Sequence, residues 1–278
     1  MDTIFERLSA FLNEDELRNI TPLKMLGLYR EHMRVVLVSK GAEQAYLMLS
    51  PRAASQWDTA KYPSASLVIF PVLSASPSAA MIDACVAAIL ENTGAEAFVV
   101  KSCELQLIAA LRTTLPALSY QRALLTFTPN ADDGAVSVGS VLKSSVRITT
   151  HIPPEALSLL ATHDVYSASE LDTMFADGSA RCLLRFDGDG DEADRHPVAI
   201  ALTFPNTPTL HEIGSLYVAP HARRAGHASV LVRAALVDIA WRDLAARYVV
   251  DATNAPSIEL ATRCGLREVM RLEHWLSA

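Results

Sequence analysis

Residues 216–231, reading LYVAPHARRAGHASVL, are the part of this chain whose types and spacing could hold a diphosphate. A short apolar strand (Leu216, Tyr217, Val218) is stopped by Pro220. Arg223, Arg224, Ala225, Gly226, His227, Ala228 and Ser229 follow, and then a helical pattern begins. A helix starting there leaves its first backbone N–H groups without intrahelical partners. Reinforced by the positive end of the helix dipole, those donors attract an anion. Gly226 and Ala228 carry little bulk, so a phosphate can come close to the backbone. The two arginines add positive charge, although solvated loop arginines are the plainer reading of them.

The longer string Val218-x-Pro220-x-x-Arg223-x-x-Gly226-x-Ala228-x-x-Leu231 resembles the acyl-CoA pyrophosphate loop of the GNAT acyltransferase superfamily. Downstream, Asn254-x-x-Ser257-Ile258-x-Leu260-x-x-x-x-Gly265-Leu266 resembles that family's asparagine–helix–Gly-Phe segment. The resemblance covers roughly residues 145–278. It implies an acyl-CoA-dependent N-acyltransferase, with acetyl-CoA as the default donor, a small-molecule amine as acceptor and no metal.

The same resemblance assigns roles to residues. Glu212 opens the strand leading to the loop and matches the glutamate that acts as general base, deprotonating the amine directly or through water. Strand alternation predicts Glu212, Gly214 and Leu216 on one side, with His211 facing the other way. The main chain of Leu216, Tyr217 and Val218 is expected to pair with the pantetheine arm as an added strand, and an N–H there to polarise the thioester carbonyl. Arg223, Arg224 and the amides of Ala225 to Ser229 are expected to take the diphosphate. Asn254 is either a pantetheine contact or the cap of the following helix. The chain departs from the family at Ala261, where a tyrosine usually protonates the leaving thiolate. Tyr217, Tyr248, Cys264 and His274 are the groups that could replace it.

These residues need elements to hold them. In the second half, strands are predicted at 182–186, 198–204 and 212–218, then a helix over 224–241 with Val230, Ala234, Val237 and Trp241 on one apolar face. A strand at 248–251, a helix at 256–264 and a strand at 268–275 complete it. The first half repeats the order, with strands at 35–39, 45–49 and 67–73, a helix at 78–92, a strand at 97–100, a helix at 103–115 and a strand at 123–128. Helical segments open both halves, at 4–12 and 23–33, and at 154–162 and 169–175. The expected class is α/β (α+β): a tandem GNAT-like fold of two mixed, largely antiparallel sheets flanked by helices. Residues 1–128 form a degenerate domain, 129–145 a linker and 146–278 the acyltransferase domain. The first half's equivalent junction, 70–80, has neither arginine nor glycine and should not grip a diphosphate. With only the second strand–loop–helix intact, one site per chain is expected. A two-half layout also resembles the glycine N-acyltransferase-like branch, which leaves larger acyl groups open.

Composition narrows the classes further. Half of the 278 residues are hydrophobic and a fifth charged, as in a folded soluble protein. A net charge of −7 argues against a nucleic-acid partner. No apolar run reaches the ~20 residues of a membrane span, and the acidic N-terminus lacks a signal-peptide layout. Four isolated cysteines suit a reduced, cytoplasmic protein. A monomer of two pseudo-symmetric halves and a homodimer are both open. The run Asp187-x-Asp189-x-Asp191-Glu192 reads as a solvated hairpin and not as a calcium loop. Two other functional classes remain: a non-catalytic acyl-CoA sensor or scaffold, favoured by Ala261, and a tandem-GNAT transferase using aminoacyl-tRNA, which should need a basic tRNA-binding surface, whereas the sequence shows no long Lys/Arg run.

Overall fold

The computed structural model describes residues 3–130, 146–163, 168–186 and 196–277. Two compact units divide the chain: Met1–Leu124 with Met270–Ala278, and Leu125–Val269. The boundary thus falls inside a strand twice. Most of the predicted linker (131–145) and the acidic run at 187–192 lie outside the described residues.

Unit 1 contains α1 (Ile4–Asn13), α2 (Ile20–Tyr29), β1 (Arg34–Lys40), β2 (Glu43–Pro51), α3 (Gln56–Lys61), β3 (Leu67–Val72), α4 (Ala79–Thr93), β4 (Phe98–Ser102), α5 (Leu105–Thr114) and the start of β5 (Ser119–Pro129). Helix α3 was not anticipated; Ser55 starts it by accepting the Asp58 N–H. The strands run in the order β1-β2-β3-β4-β11, where β11 (Leu266–Leu276) supplies its C-terminal half. Only β3 and β4 pair in parallel among these. Leu47, Ile69 and Val100 face α4 and α5, while Tyr46, Met48 and Phe70 pack with α1. Helices therefore cover both faces, and apolar burial in two layers holds the unit together.

Unit 1 also buries charge. Lys101 Nζ lies 2.5 Å from Asp58 Oδ1, with both side chains about 95 % buried or more. The ammonium stacks over Trp57 at 4.9 Å and Phe70 at 5.1 Å. Burial pulls the Lys101 pKa down, partly opposed by Asp58. Removing one member strands the other in an apolar medium. Lys101→Met is therefore expected to destabilise the protein by about 3–5 kcal/mol, and Lys101→Met with Asp58→Leu by much less. Denaturant unfolding of both variants measures this.

Unit 2 contains the end of β5, β6 (Val146–Thr149), α6 (Pro154–His163), α7 (Ala168–Phe175), β7 (Arg181–Phe186), β8 (Pro197–Pro205), β9 (Leu210–Val218), α8 (His227–Trp241), β10 (Ala245–Asp251), α9 (Ala255–Arg263) and the start of β11. Its strand order is β11-β5-β10-β9-β8-β7-β6, with only the start of β11 taking part. β9 and β10 are parallel, and β6 through β9 antiparallel. Leu183, Ala199, Ile213 and Tyr248 pack with α8 and α9, and Leu184, Ile200, Leu202 and Phe204 with α6 and α7. Leu125 and Phe127 of β5 belong to the first of these cores. A strand from the first half of the sequence thus lies between β10 and the start of β11 in this sheet. Helix α8 begins at His227, three residues later than predicted, because Arg224 and Gly226 hold positive φ (68° and 85°). The predicted apolar face fails at its end: Trp241 is 65 % exposed, and Leu231, Ala235 and Ile239 carry the contact instead. No helix among the described residues is long and apolar enough to cross a membrane.

Candidate functional site

The loop after β9 takes an anion-receptive form. Arg223 Nε donates to the Val218 carbonyl at 3.1 Å, folding the loop back on the strand end. Pro220–Ala222 make a single 3-10 turn, and Gly226 sits at the N-cap of α8 in the left-handed region. No side chain caps this helix. Among the described residues, the N–H groups of Gly226, His227, Ala228 and Ser229 donate to no protein acceptor. A Cβ at Gly226 would meet nothing within 4 Å, so the space beside Gly226 is open. Arg224, Ala225 and Gly226 are exposed, Ala228 and Ser229 half-buried, and His227 turns its ring inward, with Nε2 buried.

The equivalent helix start in unit 1 is already satisfied. Ser78 Oγ accepts the Met81 N–H at 3.2 Å, and Glu43 Oε2 accepts the Ser78 N–H at 3.1 Å. A carboxylate and a hydroxyl of the chain itself stand where an anion would go. Sequence reading found the missing arginine and glycine there, but not the Glu43 and Ser78 bonds.

β9 carries an irregularity that reorders its faces. Tyr217 pairs with Ile200 and Gly214 with Leu202, so three steps on β9 oppose two on β8. Ser215, at φ 47°, is within this bulge. Before it, Ile213 faces α8 and Gly214 faces Phe204. After it, Leu216 and Val218 pack on the α8 side and Tyr217 with the α6–α7 core. The expectation that Leu216 shares a side with Glu212 and Gly214 is therefore corrected. The extra residue flips the alternation, and Tyr217 takes that place. β9 and β10 pair only from Leu210/Ala245 to Ile213/Tyr248, although β9 continues to Val218 and β10 to Asp251. Beyond this point the two strands part, and the β10 side of residues 214–218 lacks a strand partner.

Glu212 lies on the Gly214 side, with Oε1 4.0 Å from where a Gly214 Cβ would be. Its other oxygen, Oε2, accepts from Asn206 Nδ2 at 2.7 Å and from Arg247 Nε and Nη2 at 3.1 and 2.9 Å. Neither Arg247 nor Asn206 was singled out from sequence. The available signal was a lone arginine inside the apolar run at 245–250. Gly214 leaves room that a Cβ would deny, since it would stand 3.0 Å from the Phe204 ring.

The remaining candidates separate. Asn254 caps α9, its Oδ1 accepting the Ser257 N–H at 3.3 Å, which leaves Nδ2 to donate elsewhere. Ala261 is fully buried in the α8–α9 core. Tyr248 is buried there and bonds to Ser257, burial raising its pKa. Cys264 points its thiol at the Ser229 carbonyl, and burial raises its pKa too. His274 belongs to unit 1, where Tyr62 hydrogen-bonds its Nδ1. Of the four hydroxyl, thiol and imidazole groups, Tyr217 alone shares the Glu212 side.

His211 is buried with its imidazole pushed down to about 4, by burial first and then by Arg242 and Arg181. The folded ring stays neutral where an unfolded one, near 6.5, takes a proton. Stability present at neutral pH is therefore lost as pH falls from about 6.5 toward 4. Denaturant midpoints should drop across that window, and His211→Gln should flatten the drop by roughly 2–3 kcal/mol.

Residues 153–266 match the model of the acetyltransferase (GNAT) family. No curated protein matches the chain. The fold is similar to a GCN5-related N-acetyltransferase from Sphaerobacter thermophilus (15 % identity, 87 % of this chain and 79 % of that one, TM-score 0.57). It is also similar to a Drosophila protein (15 %, 99 % and 97 %, 0.60). A third likeness is to a tandem GNAT protein from the clavulanic acid biosynthesis pathway (12 %, 93 % and 87 %, 0.51). At such identities the likeness establishes the fold, and it spans most of the chain.

Proposed function

We propose, from the match of residues 153–266 to the acetyltransferase (GNAT) family, that this chain transfers an acyl group, by default acetyl, from CoA to the amine of a small molecule at one site in unit 2. The carrying observation is the uncapped start of α8, with four amides that donate to no protein acceptor beside two arginines. The CoA diphosphate is assigned to Gly226–Ser229, with Ala225, Arg223 and Arg224 around it. The pantetheine arm is assigned to the gap between β9 and β10, pairing with the main chain of Leu216, Tyr217 and Val218 and reaching Asn254 Nδ2. An N–H near the bulge polarises the thioester carbonyl.

Chemistry follows from what remains. The amine attacks the thioester carbon, the new C–N bond forms and the C–S bond breaks. Glu212 takes the amine proton, directly or through water, and the CoA thiolate takes one from water or from Tyr217. No covalent enzyme intermediate is involved. Unit 1, whose equivalent helix start is occupied by Ser78 and Glu43, holds no CoA. The test is turnover of acetyl-CoA with a panel of primary amines, following thiol release. CoA binding without turnover, unaffected by Glu212→Gln, would favour the sensor. Failure to bind CoA would return attention to aminoacyl-tRNA.

A further inference from the structure

Glu212 and Arg247 are registered neighbours on the parallel strands β9 and β10, so their side chains share one face. Arg247 is 6 % exposed. Two of its N–H groups and one of Asn206 converge on the single oxygen Oε2, at 2.7–3.1 Å. Three donors saturate that oxygen as an acceptor. Oε1 is the oxygen directed along the strand toward Gly214, whose missing side chain lets the Phe204 ring pack close against the backbone. A buried ion pair is weak evidence for stability, because apolar residues in its place often stabilise as well or better. Stability alone does not account for charge at this position. A carboxylate that must receive a proton at one place, however, gains from having its second oxygen clamped.

We infer that Arg247 is a positioning residue: with Asn206 it clamps Glu212 Oε2 and thereby presents Oε1 to the acceptor amine or its water. This rests on the function proposed above. Arg247 acts through Glu212, so its removal should cost nothing further once Glu212 cannot take a proton. A double-mutant cycle reads this directly. The assay uses acetyl-CoA with the best amine of the panel, and CoA affinity is measured separately. Arg247→Met should lower kcat by about 30-fold or more, leaving the CoA Kd within about twofold, and Arg247→Lys should recover part of the loss. In the Glu212→Gln background, Arg247→Met should lower kcat by no more than about twofold. This neutral pair also provides a folded variant should Arg247→Met alone leave Glu212 too poorly compensated to fold.

Losses that simply add, or a kcat for Arg247→Met within twofold of the parent, overturn the inference. Full activity of Glu212→Gln overturns both it and the assigned base. CoA bound with no amine acylated, or no CoA bound, overturns the proposed function and this inference with it.

Discussion

Gly226→Val is expected to abolish measurable CoA binding while leaving a folded protein. Two physical effects combine. Gly226 sits at φ 85°, a region that costs a residue with a Cβ about 1–2 kcal/mol. Its side chain would also take up the open space beside Gly226, at the helix start where the diphosphate is assigned. Each 1.4 kcal/mol is about tenfold in Kd, so strain plus a displaced phosphate should exceed about 100-fold. Gly226→Ala should be milder, at about tenfold. Arg224→Ala is an informative contrast. An exposed charge in solvent is worth about 1 kcal/mol at most, so its effect should stay within about fivefold. Calorimetric titration with CoA, together with thermal melts, separates lost binding from lost folding. If the arginine mattered more than the glycine, side-chain charge rather than the helix start would be holding the anion.

Glu212→Gln is expected to lower kcat by about 100-fold or more with CoA affinity unchanged. Glutamine keeps the shape and can still accept from Arg247 and Asn206, so the packing at the start of β9 should survive. What it loses is the capacity to take a proton. An equal fall in CoA affinity would place Glu212 in binding instead of chemistry. The measurement is steady-state kinetics alongside the same CoA titration.

The parts of this account that the sequence carries openly are local ones. The loop is legible because strand, proline, arginine, glycine and helix follow one another within sixteen residues. Asn254 is legible as a cap for the same reason, with Pro256 and Ser257 directly after it. Ala261 is legible as a position lacking the family's hydroxyl, but its full burial in the core is not. What sequence hides depends on pairing between distant segments. The bulge at Ser215 inserts one residue, its one local mark being the neighbouring Gly214 inside an apolar strand, and every side chain beyond it changes face. The clamp on Glu212 joins residues 206, 212 and 247, and only the parallel register of β9 with β10 brings the last of these in. β5 and β11 look like ordinary apolar strands, and nothing in their alternation says which core each half will enter. Trp241 shows the opposite error: a large apolar residue at the right helical spacing stands beyond the edge of the core it seemed to extend.

The central claim is that the start of α8 is the diphosphate site of an acyl-CoA enzyme. A crystal structure of the protein soaked with CoA tests it most directly. Diphosphate oxygens are expected within hydrogen-bonding distance of the Gly226–Ser229 amides, the pantetheine arm between β9 and β10, and the thiol end near the Ser215 bulge on the way to Glu212. CoA bound away from Gly226, or with its thiol remote from Glu212, would contradict it.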